Sequence, residues 1–251
     1  MSKIALITGA TAGIGEATAI RLAEGGVALI VTGRRKARLL QLKNKLEQRN
    51  VRVLPLCFDL RDESAVEQAL SSLPEGWQDI DILVNNGGLA AGLNSLQEGD
   101  SDDWNRMIDT NIKGLLYVTR AVTPGMVARG RGQIINIGSI AGKEVYPNGN
   151  VYCATKYAVD ALTQGMRIDL LPHGIRVTQI CPGAVETEFS LVRFHGDAAR
   201  AKMVYHGFEN LVAEDIAECI WFVVSRPPHV NINDMVVMPT AQATATLFHK
   251  V

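Results

Sequence analysis

A glycine-rich segment near the beginning of the chain has the residue types that bind phosphate. Gly9, Gly13 and Gly15 lie in residues 8–15, directly after the apolar run 4–7. Glycines allow a tight turn and a close backbone approach, and the first amides of a following helix lack partners within that helix. The segment therefore predicts a phosphate-binding loop, although in a chain with 23 glycines such spacings also occur in ordinary turns.

A second candidate site follows the apolar run 27–32, which continues into Gly33, Arg34 and Arg35. NAD-binding proteins place a carboxylate at this strand end to bind the ribose hydroxyls. Here a glycine replaces the acid, and two arginines supply forked donors that suit a 2′-phosphate. The pattern favours NADP over NAD. The alternative is that the two arginines only begin a solvated helix.

The elements that must position these residues alternate along the chain. β-rich runs occupy 3–8, 27–32, 51–58, 80–84, 133–137, 175–181 and 235–238. Helical patterns occupy 14–24, 36–48, 63–73, 102–128, 152–171 and 214–224. This alternation predicts one α/β domain over residues 1–251, a doubly wound parallel Rossmann sheet of about seven strands with helices on both faces. Pro55 lacks an N–H and fits the edge position that the third strand has in this topology.

Composition excludes several classes of function. The hydrophobic fraction of 47% is enough for a large core, and a net charge of −1 gives no electrostatic case for nucleic acid or an acidic membrane. The four cysteines are far apart without a C-x-x-C pair, which favours buried free thiols over disulfides or zinc. No signal segment or apolar run near the ~20 residues of a membrane span is found, so a cytoplasmic protein is expected.

Two further motifs carry a family resemblance: residues 85–88, Asn-Asn-Gly-Gly, after the fourth strand, and residues 152–156, Tyr-Cys-Ala-Thr-Lys. Together with the glycine loop, Asn111, Ser139 and Pro182-Gly183 followed by Thr187, they occur in one order over nearly the whole chain. This set resembles the short-chain dehydrogenases/reductases. Gly87 departs from the alanine that the family usually has there.

The resemblance assigns Asn111, Ser139, Tyr152 and Lys156 to catalysis. Residues four apart share a helix face, so the Lys156 ammonium, with a cationic nicotinamide, is expected to lower the Tyr152 pKa from about 10 and make it a general acid or base. Ser139 would hydrogen-bond the substrate oxygen, unless it is only a cap. Asn111 would hold a water that links Lys156 to solvent, or it is a buried amide that satisfies local backbone.

The resemblance also implies a set of cofactor contacts. Asp59 and Leu60 would bind adenine, Asn86 the adenosine ribose, and Lys156 the nicotinamide ribose. Residues of the loop after the sixth strand would fix the carboxamide: Pro182, Gly183, Val185 and Thr187. Thr11 and Ile14 belong to the glycine loop. From the residues alone, Asp59 is equally a helix cap and Pro182-Gly183 an ordinary turn.

A finer resemblance concerns the substrate. Residues 104–111 with Gly114, and the segments 119–126, 188–194 and 229–233, are similar to NADP-dependent 3-hydroxy acid dehydrogenases. This implies oxidation of serine, allo-threonine or 3-hydroxypropionate. Residues 188 to about 211 are expected to form a substrate lid, in which Arg193 would bind the carboxylate or else be a solvated charge.

The resulting hypothesis is an NADP-dependent oxidoreductase acting on a small 3-hydroxy acid. The alternatives are a 3-oxoacyl or general carbonyl reductase of the same family, and a sensor that binds NADP(H) without turnover. No metal is expected, because hydride chemistry of this kind needs none. The family also implies a homodimer or homotetramer that pairs through the long helices beside the fifth strand, with Trp221, Phe222 and the tail 241–248 as further contact candidates.

Overall fold

One parallel sheet of seven strands runs through the molecule. The structure is a computed structural model and describes residues 2–251. The strands are β1 (Ile4–Ile7), β2 (Ala28–Gly33), β3 (Val53–Cys57), β4 (Ile82–Asn85), β5 (Gly132–Ile137), β6 (Ile175–Pro182) and β7 (Asp234–Val237). Their order is β3-β2-β1-β4-β5-β6-β7, and every neighbouring pair is parallel. The order changes direction between β1 and β4, where doubly wound sheets bind their ligands.

Helices cover both faces of this sheet. They are α1 (Gly13–Glu24), α2 (Lys36–Glu47), α3 (Glu63–Ser71), α4 (Ser101–Ile108), α5 (Leu115–Arg129), α6 (Asn150–Leu170), α7 (Phe189–Arg193), α8 (Ala198–Val204) and α9 (Ala213–Val224). Apolar residues of α1, α2 and α9 form the core of one face, and those of α3 and α5 form the core of the other. The predicted doubly wound α/β fold is confirmed.

The edge position predicted for β3 is also confirmed. Pro55 lies opposite Val31 of β2, and no strand flanks β3 on its other side within the described chain. The missing N–H of Pro55 therefore costs no ladder hydrogen bond.

The helix predicted over residues 102–128 is wrong as a single element. The structure contains α4, then a π-helical turn over Asp109–Gly114, then α5. The turn carries Asn111 into the interior and presses Gly114 against Leu60, where a methyl on Gly114 would lie 2.9 Å from the Leu60 Cβ. Helical sequence continues on both sides of the turn, so the sequence does not mark where the hydrogen-bond pattern changes.

The C-terminal residues fold onto their own chain. The backbone N of Ala245 donates to Glu144 Oε2, and the ring of Phe248 packs against that of Phe208. Trp221 lies against Gly25 of the α1 end, whereas Phe222 is exposed. Trp221 and the tail 241–248, which were expected as possible subunit contacts, thus make contacts within the protomer.

Two expectations from composition can be compared with the structure. None of the helices in residues 2–251 is both long enough and apolar enough to cross a bilayer. The four cysteines are free thiols; Cys153 and Cys181 are buried, but Cys57 at the end of β3 is exposed. The expectation of buried thiols therefore holds for Cys153 and Cys181 but is wrong for Cys57, which ends an edge strand, and Cys219 is only partly buried.

Candidate active site

A cavity of about 540 Å³ opens at the carboxyl ends of the strands. The chain segments that follow β1, β2, β4, β5 and β6 all contribute to it. Nearly all of the predicted site residues line it: Gly9, Thr11, Gly13, Ile14, Arg34, Arg35, Asp59, Leu60, Asn86, Ser139, Tyr152, Lys156, Pro182, Gly183, Val185, Thr187 and Arg193. Gly15 and Asn111 lie behind this lining. The parallel topology therefore brings together residues that are widely separated in sequence.

The glycine loop turns directly beneath the cavity. A methyl group on Gly15 would lie 2.4 Å from the Gly9 carbonyl oxygen and 2.5 Å from Asn86 Nδ2, so only glycine fits there. The Asn86 amide donates to the carbonyls of Thr8 (2.9 Å) and Gly9 (3.2 Å). Asn86 thus holds the loop in shape while it also lines the cavity.

At Gly87, where the family usually has alanine, a neighbouring side chain fills the space that the alanine methyl would take. A methyl on Gly87 would lie 2.3 Å from Leu60 Cδ1, so Leu60 occupies the space that an alanine side chain would need. The Gly87 backbone N donates to Thr8 Oγ1 at 2.8 Å, which fixes the loop despite the glycine.

Tyr152 and Lys156 lie on one face of α6 and are both buried. The Lys156 Nζ is 6.0 Å from the centroid of the Tyr152 ring and donates to the Ile137 carbonyl at 2.9 Å. Ser139, at the end of β5, accepts from the Ala141 N at 3.1 Å and so caps the turn Ile140–Gly142. Ser139 is thus a cap, and it also lines the same cavity as Tyr152, so its proposed contact with the substrate oxygen stays a prediction.

Burial controls the ionisation of the pair. It raises the pKa of Tyr152, as does Tyr146, while contacts with Ser139 and Arg193 lower it without offsetting the burial. Burial lowers the pKa of Lys156 to about 8. The groups of the protein alone therefore do not lower the pKa of Tyr152, because removal of the phenolate from water outweighs the Ser139 hydrogen bond and the Arg193 charge. The effect expected of a bound nicotinamide stays a prediction.

Asn111 is held by its own side-chain hydrogen bonds. Its Oδ1 accepts from the Leu89 N at 2.9 Å, and its Nδ2 donates to the Leu89 carbonyl at 2.8 Å and to Thr155 Oγ1 at 3.0 Å. The amide thus does what the second alternative expected of it: it satisfies local backbone. It also ties the π turn to α6, one residue before Lys156.

The two arginines after β2 have different surroundings. Arg34 is 57% exposed in its side chain, and its ion-pair partner Asp59 is 3.7 Å away. Arg35 donates to Thr11 Oγ1 and, at 2.7 Å, to Glu188 Oε2. Burial raises the pKa of Asp59, but hydrogen bonds from Arg61 and the charges of Arg61 and Arg34 bring it below its ordinary value.

The predicted lid is folded rather than irregular. It contains α7 and α8, and Ser190 Oγ donates to the Tyr205 hydroxyl at 2.8 Å to join them. His195 Nε2 lies 3.0 Å from Asp103 Oδ2 of α4. Within residues 2–251 no group of three or more metal-binding side chains is found.

Arg193 points from α7 towards Tyr152. Its guanidinium lies 5.3 Å from the centroid of the Tyr152 ring, and it donates to the Tyr146 hydroxyl at 2.5 Å and to the Gly92 carbonyl at 3.3 Å. The solvated alternative is therefore wrong for Arg193, because it is partly buried and bonded. The wall beside Tyr152 thus contains a fixed positive charge that suits an anionic group.

Several residues around the cavity were not predicted as site residues from the sequence. Tyr146, Glu188 and Tyr205 line it, as do Ala245 and Phe248 of the C-terminal tail. The tail residue Gln242 accepts from the Ala184 N at 2.8 Å, beside the predicted carboxamide loop. Glu188 opens the family-like segment 188–194, but its contacts are not encoded there, and the other residues come from loops and a tail without a motif, so only the tertiary structure places them at the cavity.

Comparison with known proteins gives consistent results. The family model for short chain dehydrogenases matches residues 3–196. The NADP-dependent 3-hydroxy acid dehydrogenase YdfG of Salmonella typhi is 51% identical over 97% of this chain and 98% of its own length. Sulfoacetaldehyde reductase 2 of Chromohalobacter salexigens is 49% identical over 97% of this chain and 96% of its own.

A solved structure agrees in shape as well. The closed form of serine dehydrogenase complexed with NADP⁺ superimposes with a TM-score of 0.92 at 48% sequence identity, covering 99% of each chain. The similarity therefore extends over the complete sheet, the lid segment and most of the tail.

Proposed function

The chain belongs to the short-chain dehydrogenase/reductase family, and from this premise we propose that it is an NADP-dependent oxidoreductase that acts on small 3-hydroxy acids. The observation that carries the proposal is the position of Arg193, whose guanidinium stands 5.3 Å from the Tyr152 ring. A proton-transferring phenol and a fixed cation in one pocket suit a substrate that has both a hydroxyl and a carboxylate.

The residues present fit NADP. Gly9 and Gly13 line the cavity without side chains, so a diphosphate could approach the backbone amides at the start of α1. Arg34 would bind the 2′-phosphate, Asp59 and Leu60 the adenine, and Asn86 the adenosine ribose. Lys156 would bind the nicotinamide ribose, and the carboxamide would be held by Pro182, Gly183, Val185 and Thr187.

The chain's own groups handle the proton. A bound nicotinamide would supply the hydride acceptor or donor for the substrate carbon. In the oxidation, the Tyr152 oxygen takes the proton of the substrate hydroxyl, and Ser139 hydrogen-bonds the same oxygen as its charge changes. Lys156, whose Nζ lies 6.0 Å from the centroid of the Tyr152 ring, would favour the deprotonated phenol when it is charged. Asn111 keeps α6 in position against the segment at Leu89.

Both curated relatives support an anionic substrate. One is named for 3-hydroxy acids and the other for sulfoacetaldehyde, so each name specifies a small molecule with an acidic group. We therefore expect serine, allo-threonine or 3-hydroxypropionate to be oxidised, with Arg193 binding the carboxylate. The lid of residues 188 to about 211 would close over this substrate.

A panel of substrates tests the function. NADP reduction is measured with L-serine, L-allo-threonine, 3-hydroxypropionate and simple alcohols, with NAD in place of NADP as the control. The proposal expects turnover with the acids and a preference for NADP. NADPH oxidation with an acetoacetyl thioester is measured alongside. Activity confined to that thioester would instead identify a 3-oxoacyl reductase, and tight NADP binding without any turnover would identify a sensor.

We further propose that the protein is a homodimer or homotetramer. Leu116 on α5 and Ile168 on α6 are apolar and exposed, and Leu171 follows directly after α6. These helices precede and follow β5, and a second copy packed there would remove the apolar side chains from water. Light scattering on the purified protein distinguishes this assembly from a monomer.

A further inference from the structure

Glu188 connects two parts of the cofactor cleft. It stands immediately before α7, and its carboxylate is paired with Arg35 at 2.7 Å and with Arg38 at 2.7 Å. Arg35 immediately precedes α2, and Arg38 lies in its first turn. Arg35 also donates to Thr11 Oγ1, with N–O distances of 3.1 and 2.8 Å, so the group includes the glycine loop.

This group spans the wall of the cavity. Thr11, Arg35 and Glu188 all line it. Next to them, the Thr187 side chain packs on the glycine loop, since a methyl on Gly13 would lie 3.2 Å from Thr187 Cβ. The first residues of the lid segment are therefore fastened to the loop that would hold the diphosphate.

The guanidinium of Arg34 is more available to bind a ligand than those of Arg35 and Arg38. Its side chain is more exposed, and its ion-pair distance to Asp59 is 3.7 Å rather than 2.7 Å. Arg35 already uses its donors on Thr11 and Glu188. Arg34 is thus the guanidinium free to receive a 2′-phosphate, while Arg35 is committed to the contact across the cleft.

We propose that Arg35, Arg38 and Glu188 form a clasp that sets how long the dinucleotide stays bound, whereas Arg34 alone selects NADP over NAD. This rests on the proposed NADP-dependent function. Because the clasp bridges the loop and the lid segment, the dinucleotide leaves only when the bridge opens, whether or not a 2′-phosphate is present. The two arginines also keep the pKa of Glu188 below its ordinary value, so the bridge is ionised at neutral pH.

The test compares dissociation rates of NADPH and NADH by stopped-flow displacement at fixed ionic strength. Glu188→Gln and Arg38→Met should each release both dinucleotides about three- to tenfold faster, a size consistent with partly exposed ion pairs. The NADPH-to-NADH affinity ratio should stay as in the native protein. Arg34→Met should lower that ratio, and Glu186→Gln, at an exposed position two residues earlier, should change neither quantity.

Two results would overturn the clasp. One is unchanged dissociation in both clasp variants. The other is tighter binding of NADPH but not NADH in Glu188→Gln, which would mean that the carboxylate competes with the 2′-phosphate for Arg35. Native protein that binds neither dinucleotide would instead refute the proposed function itself, and the clasp with it.

Discussion

Tyr152 and Lys156 are both buried, and burial opposes the charged form of each. The pKa of Tyr152 is raised and that of Lys156 falls to about 8. Lys156 keeps one hydrogen bond, to the Ile137 carbonyl, which does not replace the water that its ammonium loses on folding. Burial of this pair therefore lowers the free energy of unfolding, and we expect catalysis to require that burial.

Burial of Lys156 predicts that the free energies of unfolding of the native protein and of Lys156→Met differ by an amount that depends on pH. The lysine pKa is 10.5 unfolded and about 8 folded, so the charged form is penalised fully below pH 8 and the penalty disappears as pH rises towards 10.5. The variant should be more stable at pH 7, by up to about 3 kcal/mol, and this advantage should shrink by roughly 2 kcal/mol by about pH 9.5. Urea unfolding at several pH values measures it.

Lys143→Met is the matched control for that experiment. Its contacts with Asp160 and Asp234 outweigh burial and raise the pKa of Lys143 above 10.5, so its contribution is complete below the unfolded pKa. The difference in free energy of unfolding between the native protein and Lys143→Met should stay constant from pH 7 to about pH 9.5. An equally constant difference for Lys156→Met would show that Lys156 is not desolvated.

A second prediction at this scale concerns Arg193. Arg193→Met should raise KM for hydroxy acids about 10- to 100-fold, as expected for loss of a charge-assisted contact, while neutral alcohols keep their KM. Arg200→Met is the control, because Arg200 is an exposed lid arginine that stacks on Phe194. Equal losses on acids and alcohols would mean that Arg193 supports the pocket without binding carboxylate.

Single residues differ in how far the sequence reveals them. Gly15 was predicted from spacing because strand, turn and helix are contiguous, and Tyr152 with Lys156 because four residues make about one helical turn. The pairing of Glu188 with Arg38 was not predicted, because 150 residues separate the partners and the family-like segment that Glu188 opens does not specify its partner. Tyr146 was missed for the same reason: its contact with Arg193 spans 47 positions.

The elements are positioned by a buried polar ladder below the cavity. Asn85 of β4 donates to Asn136 of β5 at 2.9 Å, and Asn136 donates to Thr163 of α6, also at 2.9 Å. The ladder fixes α6, which carries Tyr152, against the two central strands. Sequence patterns predicted the strands and α6 but not this link, because an asparagine within an apolar strand does not specify its partners.

Asn136→Ala should therefore destabilise the fold by about 2–4 kcal/mol, since it leaves buried amide and hydroxyl groups without partners. Gln164→Ala on the same helix removes only an exposed hydrogen bond to Asp160 and should change the free energy of unfolding by less than about 0.5 kcal/mol. Thermal and urea unfolding measure both. If both variants lowered the free energy of unfolding by a similarly small amount, the ladder would not be what holds α6 in place.

At the scale of the whole molecule, the cavity lies where the strand order reverses, and loops from both halves of the sheet form its walls. The topology was predictable from the alternation of strands and helices and from Pro55 at the edge. The fold of the tail was not, because its contacts at Gln242 and Phe248 are with loops distant in sequence.

Ligand binding at this junction should stabilise the complete fold. NADP at about 100 times its Kd should add roughly 3 kcal/mol and raise Tm by about 5–10 °C. NAD at the same concentration should raise Tm less, and Arg34→Met should remove the difference between the two. Equal shifts in the native protein would contradict a 2′-phosphate site at Arg34.

The most direct test of the central claim is turnover by Tyr152→Phe. This change removes one oxygen from the cavity and keeps the ring that packs against Phe189. If Tyr152 transfers the proton, kcat for 3-hydroxy acid oxidation falls by about 10²- to 10⁴-fold while the Kd for NADP stays as in the native protein. Turnover of Tyr152→Phe at the native rate would contradict the claim that Tyr152 transfers the proton.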